Sequence, residues 1–359
     1  MADSKQAPLD SAAAAKAAFA SVQGKPFPDD IFTAPELRWA VIGCGIIANQ
    51  MAQSLALAGR KLAGVANRTL SKAQAFAEQY GVEKVYETVE DLYADPDIDA
   101  VYITTPHNTH ITYLRAALAA GKHVLCEKAI TLNSAELDEA RAIADEHNVV
   151  LMDATTVLHM PLYQELRRRM DAGDFGRMNL AQLNFGSYKE YGDLTNRFYN
   201  RSLAGGAMLD IGVYALSVMR LFMVSQPVEV VSLGNTCETG VDVAGGIVCR
   251  NAEQQLGVVS LTLHSKQPKR SVISFDKCYI EVNEYPRADH ATIVWTADGH
   301  REEVHAGTEA YALCYEMADL EKAVAGDDSK RELLDYASDV MELMTKLRAD
   351  WGVVYPEEE

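Results

Sequence analysis

From Leu37 onward, short apolar runs alternate with amphipathic stretches, at 39–42, 62–67, 85–86, 100–103, 123–126 and 149–152. Helical patterns lie between them, with Gly59, Gly81 and Gly121 placed as terminators. Strands separated by helices at this spacing pair in parallel through right-handed crossovers, so residues 37–153 are expected to form a doubly wound parallel sheet. In such a sheet the loops leaving the C-terminal ends of the strands converge on one crevice. Ser71-x-x-Gln74 is expected to open the second helix as a capping box, and Asn133 with Glu136 to cap a later one.

The first strand runs directly into Gly43-Cys44-Gly45-Ile46-Ile47-Ala48, and Ile47, Met51 and Leu55 then share one helical face. Gly43 permits the tight turn, Gly45 lets a pyrophosphate approach the backbone, and Ala48 lets the helix pack closely on the strand. The N–H groups of the first helical turn, at Ile46 and Ile47, are then aimed at phosphate. A glycine pair alone would mean only a turn; between a strand and a helix it indicates a dinucleotide site. An acidic residue about 20 positions on would bond a ribose 2′-hydroxyl. That place holds Asn67-Arg68-Thr69, with Ser71 and Lys72 following. A planar guanidinium pairs with a 2′-phosphate and stacks on adenine, so NADP is expected, with NAD possible. The competing reading of Arg68 is a solvated side chain at a helix entrance.

Residues 1–36 stand outside this rhythm: an alanine-rich stretch at 11–20 reads as helix, followed by Gly24, Pro26, Pro28 and Pro35. They are an arm, either a loose tail or packed on a partner subunit. After residue 153 the pattern changes. A helix at 161–172 is followed by strand-like runs at 180–185, 228–233, 244–249, 257–263, 272–275, 279–282 and 292–295, interrupted by a helix at 206–223. Two helices, 309–325 and 330–350, follow. Strands joined by hairpin-length turns mean an antiparallel or mixed sheet, and residues 154–359 are expected to form a second, α+β domain.

Several residues are candidates for chemistry. Lys128, after Glu127, sits where the fifth parallel strand ends, beside small apolar Cys126 and Ala129, as either a surface residue or a cation aimed at a reacting centre. Asp210 and Tyr214 are four apart and share the one polar face of an apolar helix, so each needs polar company or water. A structural Tyr–carboxylate bond is the alternative. His107 and His110 lie in the crevice loop without an acidic or cysteine neighbour, so polar lining or capping is favoured over metal, and no metal site is expected. Thr155, His159, Tyr188 and Arg197, in irregular loops, are expected to choose the substrate.

A net charge of −18 argues against nucleic acid and anionic membrane as partners. Six scattered cysteines with no Cys-x-x-Cys pair fit buried free thiols in a reducing compartment. No run of about 18 apolar residues is seen, and a secretory signal is not expected, so the location expected is cytoplasmic.

Taken together, Gly43-x-Gly45-x-x-Ala48, Thr105-Pro106-x-x-x-His110, Cys126-Glu127-Lys128 and Gly205-Gly206-x-x-x-Asp210-x-Gly212-x-Tyr214 resemble the glucose–fructose oxidoreductase / inositol dehydrogenase (Gfo/Idh/MocA) family, from about Leu37 to Pro356. The resemblance implies an N-terminal Rossmann domain and a second domain whose large open, mostly antiparallel sheet is the interface of a homodimer or homotetramer. It implies that Lys128 contacts substrate or the catalytic acid, and that Glu127 and the 104–108 loop, with Thr104, Thr105, Pro106 and His107, border the nicotinamide ribose. Tyr214, where many members carry His, resembles the branch that includes trans-dihydrodiol dehydrogenase and mostly uses NADP. The family's Glu-Lys-Pro stands as Glu127-Lys128-Ala129 in this chain.

The activity expected is hydride transfer between nicotinamide and a sugar, polyol or cyclic diol or carbonyl substrate. Tyr214 would handle the hydroxyl proton, with its phenol, ordinarily near pKa ~10, lowered by the Lys128 ammonium. The alternatives are a cofactor-sensing regulator without turnover, against which Lys128, Asp210 and Tyr214 together argue, and a glycosidase that retains its nicotinamide.

Overall fold

The computed structural model describes residues 9–359, with side chains from residue 14. Residues 1–8 of the expected arm lie outside the described residues. The chain forms two compact units. One runs to Ile130 and adds Glu136–Ala154 and Glu309–Leu334; the other comprises Thr131–Ala135, Thr155–Thr308 and Asp335–Glu359.

The first unit is built on six strands: β1 (Trp39–Ile42), β2 (Gly64–Ala66), β3 (Lys84–Tyr86), β4 (Ala100–Ile103), β5 (His123–Cys126) and β6 (Leu151–Asp153). Their order is β3-β2-β1-β4-β5-β6, every pair parallel. The four residues of β1 and of β4 are all buried, as expected of strands covered on both faces. The helices α1 (Leu9–Val22), α2 (Ile46–Leu57), α3 (Leu70–Tyr80), α4 (Val89–Ala94), α5 (His110–Ala119) and α6 (Ser134–Glu146) follow in chain order. One local expectation fails: α3 starts at Leu70 with Thr69 as its N-cap and no side-chain cap, so Ser71 and Gln74 both sit inside the helix.

The boundary drawn in sequence order is also crossed. The helix α9 (Ala312–Val324) places Leu313, Met317, Leu320 and Ala323 in one core with Met51, Leu55 and Trp39 of the first unit. A buried ion pair fixes it there: Glu321, 1% exposed, accepts from the Arg60 guanidinium at 2.7 Å and from Trp39 Nε1 at 3.0 Å. The arm joins the same unit. Its described part forms α1, Phe27 meets Tyr311 edge-on at 4.9 Å, and Arg60 lies 4.0 Å over the Phe32 ring. The described part of the arm is therefore not loose: Val22 and Ile31 are each only 5% exposed on its own chain.

The second unit carries α7 (Pro161–Asp171), α8 (Val213–Phe222) and an eight-stranded sheet. Its strands are β7 (Met178–Gly186), β8 (Pro227–Thr236), β9 (Asp242–Asn251), β10 (Leu256–Thr262), β11 (Gln267–Phe275), β12 (Cys278–Asn283), β13 (His290–Trp295) and β14 (Arg301–His305). The order is β14-β13-β12-β11-β7-β10-β9-β8; β7 and β10 pair in parallel and the other pairs are antiparallel. The sheet is therefore open and mostly antiparallel. β14 was not anticipated, since an edge strand reading Arg-Glu-Glu-Val-His buries only Val304 and carries almost no apolar pattern. The short α10 (Asp328–Arg331) and the long α11 (Leu333–Asp350) replace the single helix expected at 330–350.

The register puts Ile247, Cys249, Val259, Leu261, Ala181 and Leu183 on the buried face of this sheet. The opposite face leaves Val231 75%, Leu233 83%, Val248 47% and Leu256 40% exposed. One helical stretch, Arg201–Phe222, is long and apolar enough by length and composition to cross a membrane, although Asp210 and Arg220 interrupt it. It is 78% buried within the protein, as a core helix is.

Candidate active site

In the first unit the strand order reverses between β1 and β4, and the loops that follow those two strands flank this switch point. Gly43 leaves β1 with φ +102°, and a Cβ there would lie 2.7 Å from Thr104 Oγ1 and 3.1 Å from the Thr104 carbonyl oxygen. Glycine at 43 is thus required by both backbone and neighbour. Gly45 differs: its φ of −77° suits any residue, and a Cβ there would have no protein atom within 4 Å. What Gly45 keeps clear is space outside the protein, in front of a helix whose N-terminus no side chain caps. That is a cradle suited to a pyrophosphate. Ala48 is 0% exposed against the sheet, while Ile46 is 56% exposed at the mouth of the turn. Burial pushes the Cys44 thiol up to about 11, so it stays protonated beside the cradle.

At the end of β2, Asn67 Nδ2 donates to the Thr69 carbonyl at 3.0 Å and shapes the turn. Arg68 and Lys72 are exposed at the entrance of α3, and Arg68 engages no carboxylate among the described residues. Thr104 Oγ1 donates to Ile42 O at 3.0 Å, tying the two central loops together. Pro106 precedes a 3₁₀ turn, His107–Thr109.

Two histidines bind this loop to the one after β5. His107 Nε2 lies 3.1 Å from the Lys128 carbonyl oxygen. His110, fully buried, has Nδ1 3.0 Å from Ala129 O and Nε2 2.8 Å from Thr105 O. Burial lowers its pKa, so the neutral ring donates to one of these carbonyls at a time. Glu127 and Lys128 are half-buried between apolar Cys126 and Ala129, and the Lys128–Ala129 peptide is cis. Tyr102, in the middle of β4, donates its hydroxyl to Glu127 Oε1. Sequence reasoning passed over Tyr102; a tyrosine inside the apolar run Ala-Val-Tyr-Ile was the signal.

In the second unit Gly205 and Gly206 precede the helix that carries the other candidates. A Cβ on Gly205 would approach Phe198 O to 2.7 Å, and Gly206 has φ +128°. Met208–Gly212 then forms a π turn before α8, where a straight α-helix from 206 to 223 was expected. Gly212 permits it, because a Cβ there would lie 2.9 Å from Met208 Sδ and 3.0 Å from Leu261 Cδ1. π turns recur at functional sites, where they re-aim side chains within a helix. Asp210 and Tyr214 are the half-buried residues among buried Leu209, Ile211, Gly212 and Val213. Arg197 Nη2 donates to Asp210 Oδ1 at 3.2 Å and its guanidinium lies 4.6 Å over Phe198. Tyr214 and Phe185 rings stand 6.1 Å apart. Tyr188 and Arg197 are exposed, whereas Thr155 and His159 are buried, at 0% and 1%. Asp242 also belongs to this neighbourhood and was missed; a lone carboxylate between Val241 and Val243 marked it. Among the described residues no group of three or more His, Cys, Asp or Glu side chains is placed to hold a metal ion.

A parallel sheet in this order, with a glycine turn at its switch point and an uncapped helix behind it, defines a dinucleotide-binding protein. The family model for an oxidoreductase family with an NAD-binding Rossmann fold matches residues 37–155, and that for the GFO/IDH/MocA C-terminal domain matches residues 163–281. The chain belongs to the Gfo/Idh/MocA family of NAD(P)-binding oxidoreductases. It is 31% identical over 251 residues to trans-1,2-dihydrobenzene-1,2-diol dehydrogenase of Xenopus tropicalis, covering 68% of this chain and 74% of the relative. The enzyme of the same name from Sus scrofa is 28% identical over 340 residues, covering 90% and 99%. A 3-ketoreductase from Actinomadura kijaniata, solved with NADP and TDP-benzene, shares the fold at a TM-score of 0.75 and 24% identity, over 88% of this chain and 98% of that one. Levoglucosan dehydrogenase, solved with NADH and levoglucosan, does so at 0.76 and 20%, over 87% and 97%.

Proposed function

We propose that this protein is an NADP-dependent oxidoreductase acting on a carbinol or carbonyl carbon of a sugar, polyol or cyclic diol. The observation that carries the cofactor choice is the end of β2, where exposed Arg68 and Lys72 stand in place of a carboxylate. A 2′-phosphate needs such cations, and a free ribose hydroxyl does not. The names of the relatives, a dihydrodiol dehydrogenase, a 3-ketoreductase and a levoglucosan dehydrogenase, support hydroxyl-bearing rings as the substrate class.

When bound, a nicotinamide supplies or accepts the hydride. The residues of this chain divide the other tasks. Gly43, Gly45 and the N–H groups of Ile46 and Ile47 receive the pyrophosphate; Asn67, Arg68 and Lys72 receive the adenosine end. Thr104, Thr105, Pro106, His107, His110 and Glu127 shape the wall for the nicotinamide ribose, and Lys128 is the cation of the reaction centre. Tyr214 takes and returns the hydroxyl proton, with Asp210 holding Arg197 beside it. Tyr188, Arg197 and His159 are the candidates for choosing the substrate. Six cysteines, none paired, support a reducing compartment and a cytoplasmic location.

The same reading includes a homodimer or homotetramer. Val231, Leu233, Val248 and Leu256 make a contiguous apolar face that a second copy would cover. Light scattering at micromolar concentration is expected to give a dimer or larger; a monomer contradicts this part.

Tyr214→Phe tests the chemical assignment. Positioned acid–base groups contribute about 10²–10⁴-fold, so kcat should fall by that order with cofactor affinity nearly unchanged. Near-normal turnover would remove Tyr214 from the mechanism.

A further inference from the structure

We infer that Asp242 is a positioning residue for Tyr214: it caps the first turn of the catalytic helix and holds that turn in its π register. The inference rests on the reading of Tyr214 as the proton-transfer group. Asp242 opens β9 and is fully buried. Its Oδ2 accepts the backbone N–H of Met208, the first residue of the π turn, at 2.6 Å. Its Oδ1 has no hydrogen-bond partner among the described residues and faces Gly206, where any Cβ would overlap it. The glycine pair therefore has two separate reasons. Gly205 makes room for the backbone at Arg197 and Phe198, and Gly206 makes room for this carboxylate.

A π turn holds one residue more than an α turn, so the segment 208–212 has two registers one residue apart. Slipping between them re-aims Asp210 and Tyr214. The N–H of Met208, in the first turn, has no acceptor within the helix in either register, and the Asp242 carboxylate that accepts it fixes where the π turn begins. Charge-assisted bonds of this kind are about twice as strong as neutral ones. The groups facing Asp242 from the neighbouring elements are Tyr355, Arg348 and, behind them, Glu358. Tyr355 donates to Gly205 O at 2.6 Å, and the buried Arg348 is bonded to Glu358 and stacked 4.7 Å over the Tyr355 ring. Arg348 favours the carboxylate at a distance, but its hydrogen bonds go to Glu358, Leu132 O and Val353 O. Burial accordingly prevails and pushes the Asp242 carboxyl up to about 6.

The sign of the stability effect opposes that of the positioning effect. A carboxyl whose pKa is raised on folding favours the folded state below its unfolded pKa and loses that contribution as pH rises through its folded value. Ionised Asp242 thus lowers overall stability above about pH 6 while tightening the cap on Met208.

The test compares wild type, Asp242→Asn, which keeps an acceptor but not the charge, and Asp242→Ala. Three quantities are followed from pH 5 to 8: kcat and KM, thermal midpoint, and hydrogen-exchange protection factors for residues 207–214. Wild type should lose kcat and protection on the acid side of about pH 6. Asp242→Asn should be flat through that region, with kcat about tenfold lower at pH 8, KM little changed, and a midpoint equal to or above wild type. Asp242→Ala should lose more protection; if it does not fold, the Asn variant decides. An Asn variant that keeps the acid limb, or whose kcat and midpoint fall together, overturns the inference, as do protection factors at 207–214 that ignore the substitution. Protection is read without substrate. Normal turnover by Tyr214→Phe would therefore remove the catalytic reading while leaving the capping role of Asp242 to be decided by exchange.

Discussion

Two glycines two residues apart, Gly43 and Gly45, shape the turn proposed to cradle the cofactor. Gly43 is required by Thr104 and by its own φ of +102°, whereas a Cβ at Gly45 would meet no protein atom within 4 Å, which fits the proposed approach of a pyrophosphate. The motif and the separate tasks of its glycines were legible in sequence; the exclusion of a side chain at Gly43 by Thr104 was not, because it depends on which strand lies beside β1. Arg68 is the residue on which the proposed cofactor preference turns. Arg68→Ala should weaken NADP(H) binding by roughly 1.5–3 kcal/mol, the worth of a lost charge-assisted pair, and leave NAD(H) nearly unchanged by titration calorimetry. Equal losses for both would mean that Arg68 only stacks on adenine. Tyr102 and Asp242 were hidden for a common reason. Each is a polar residue in an apolar strand, and its partner, Glu127 or Met208, is distant in sequence.

At the scale of elements, local periodicity predicted most strands and helices, since each buries a continuous apolar face. It failed where tertiary contacts set the geometry. The π turn at Met208–Gly212 follows from Gly212 against Leu261 and from the Asp242 cap, neither of which is a helical-period signal. β14 is an edge strand with one buried side chain. The helix α9 was expected in its right place along the chain but with the wrong unit, because Glu321 meets Arg60 across 261 residues. Its ion pair is nearly dry, with the Arg60 and Glu321 side chains 10% and 0% exposed. Glu321→Ala removes the buried partner of Arg60 and the acceptor of Trp39 Nε1 and leaves Arg60 only the exposed Glu36, so stability should fall toward the lower end of about 3–5 kcal/mol. Denaturant unfolding measures it, and a midpoint within error of wild type would show that the pair is immaterial to the docking of α9.

At the scale of the whole molecule, fold class and family were both legible, because strand–helix alternation and four spaced motifs are properties of the chain as written. What was not legible is how the chain shares itself between units: the segment Glu309–Leu334 returns to the first unit, and Thr131–Ala135 belongs to the second. The second unit's apolar sheet face, with Leu233 83% exposed, is the largest feature a single chain leaves unexplained, and a second copy is the proposed cover. The central claim, the proposal that this protein is an NADP-dependent oxidoreductase for hydroxylated rings, is tested most directly by reduced-nicotinamide absorbance. The purified protein would be offered NADP and NAD in turn with a panel of sugars, polyols and cyclic diols. Multiple turnovers with at least one ring diol or sugar, faster per unit concentration with NADP than with NAD, are predicted. Tight cofactor binding without turnover across the panel, or turnover confined to NAD, would contradict it.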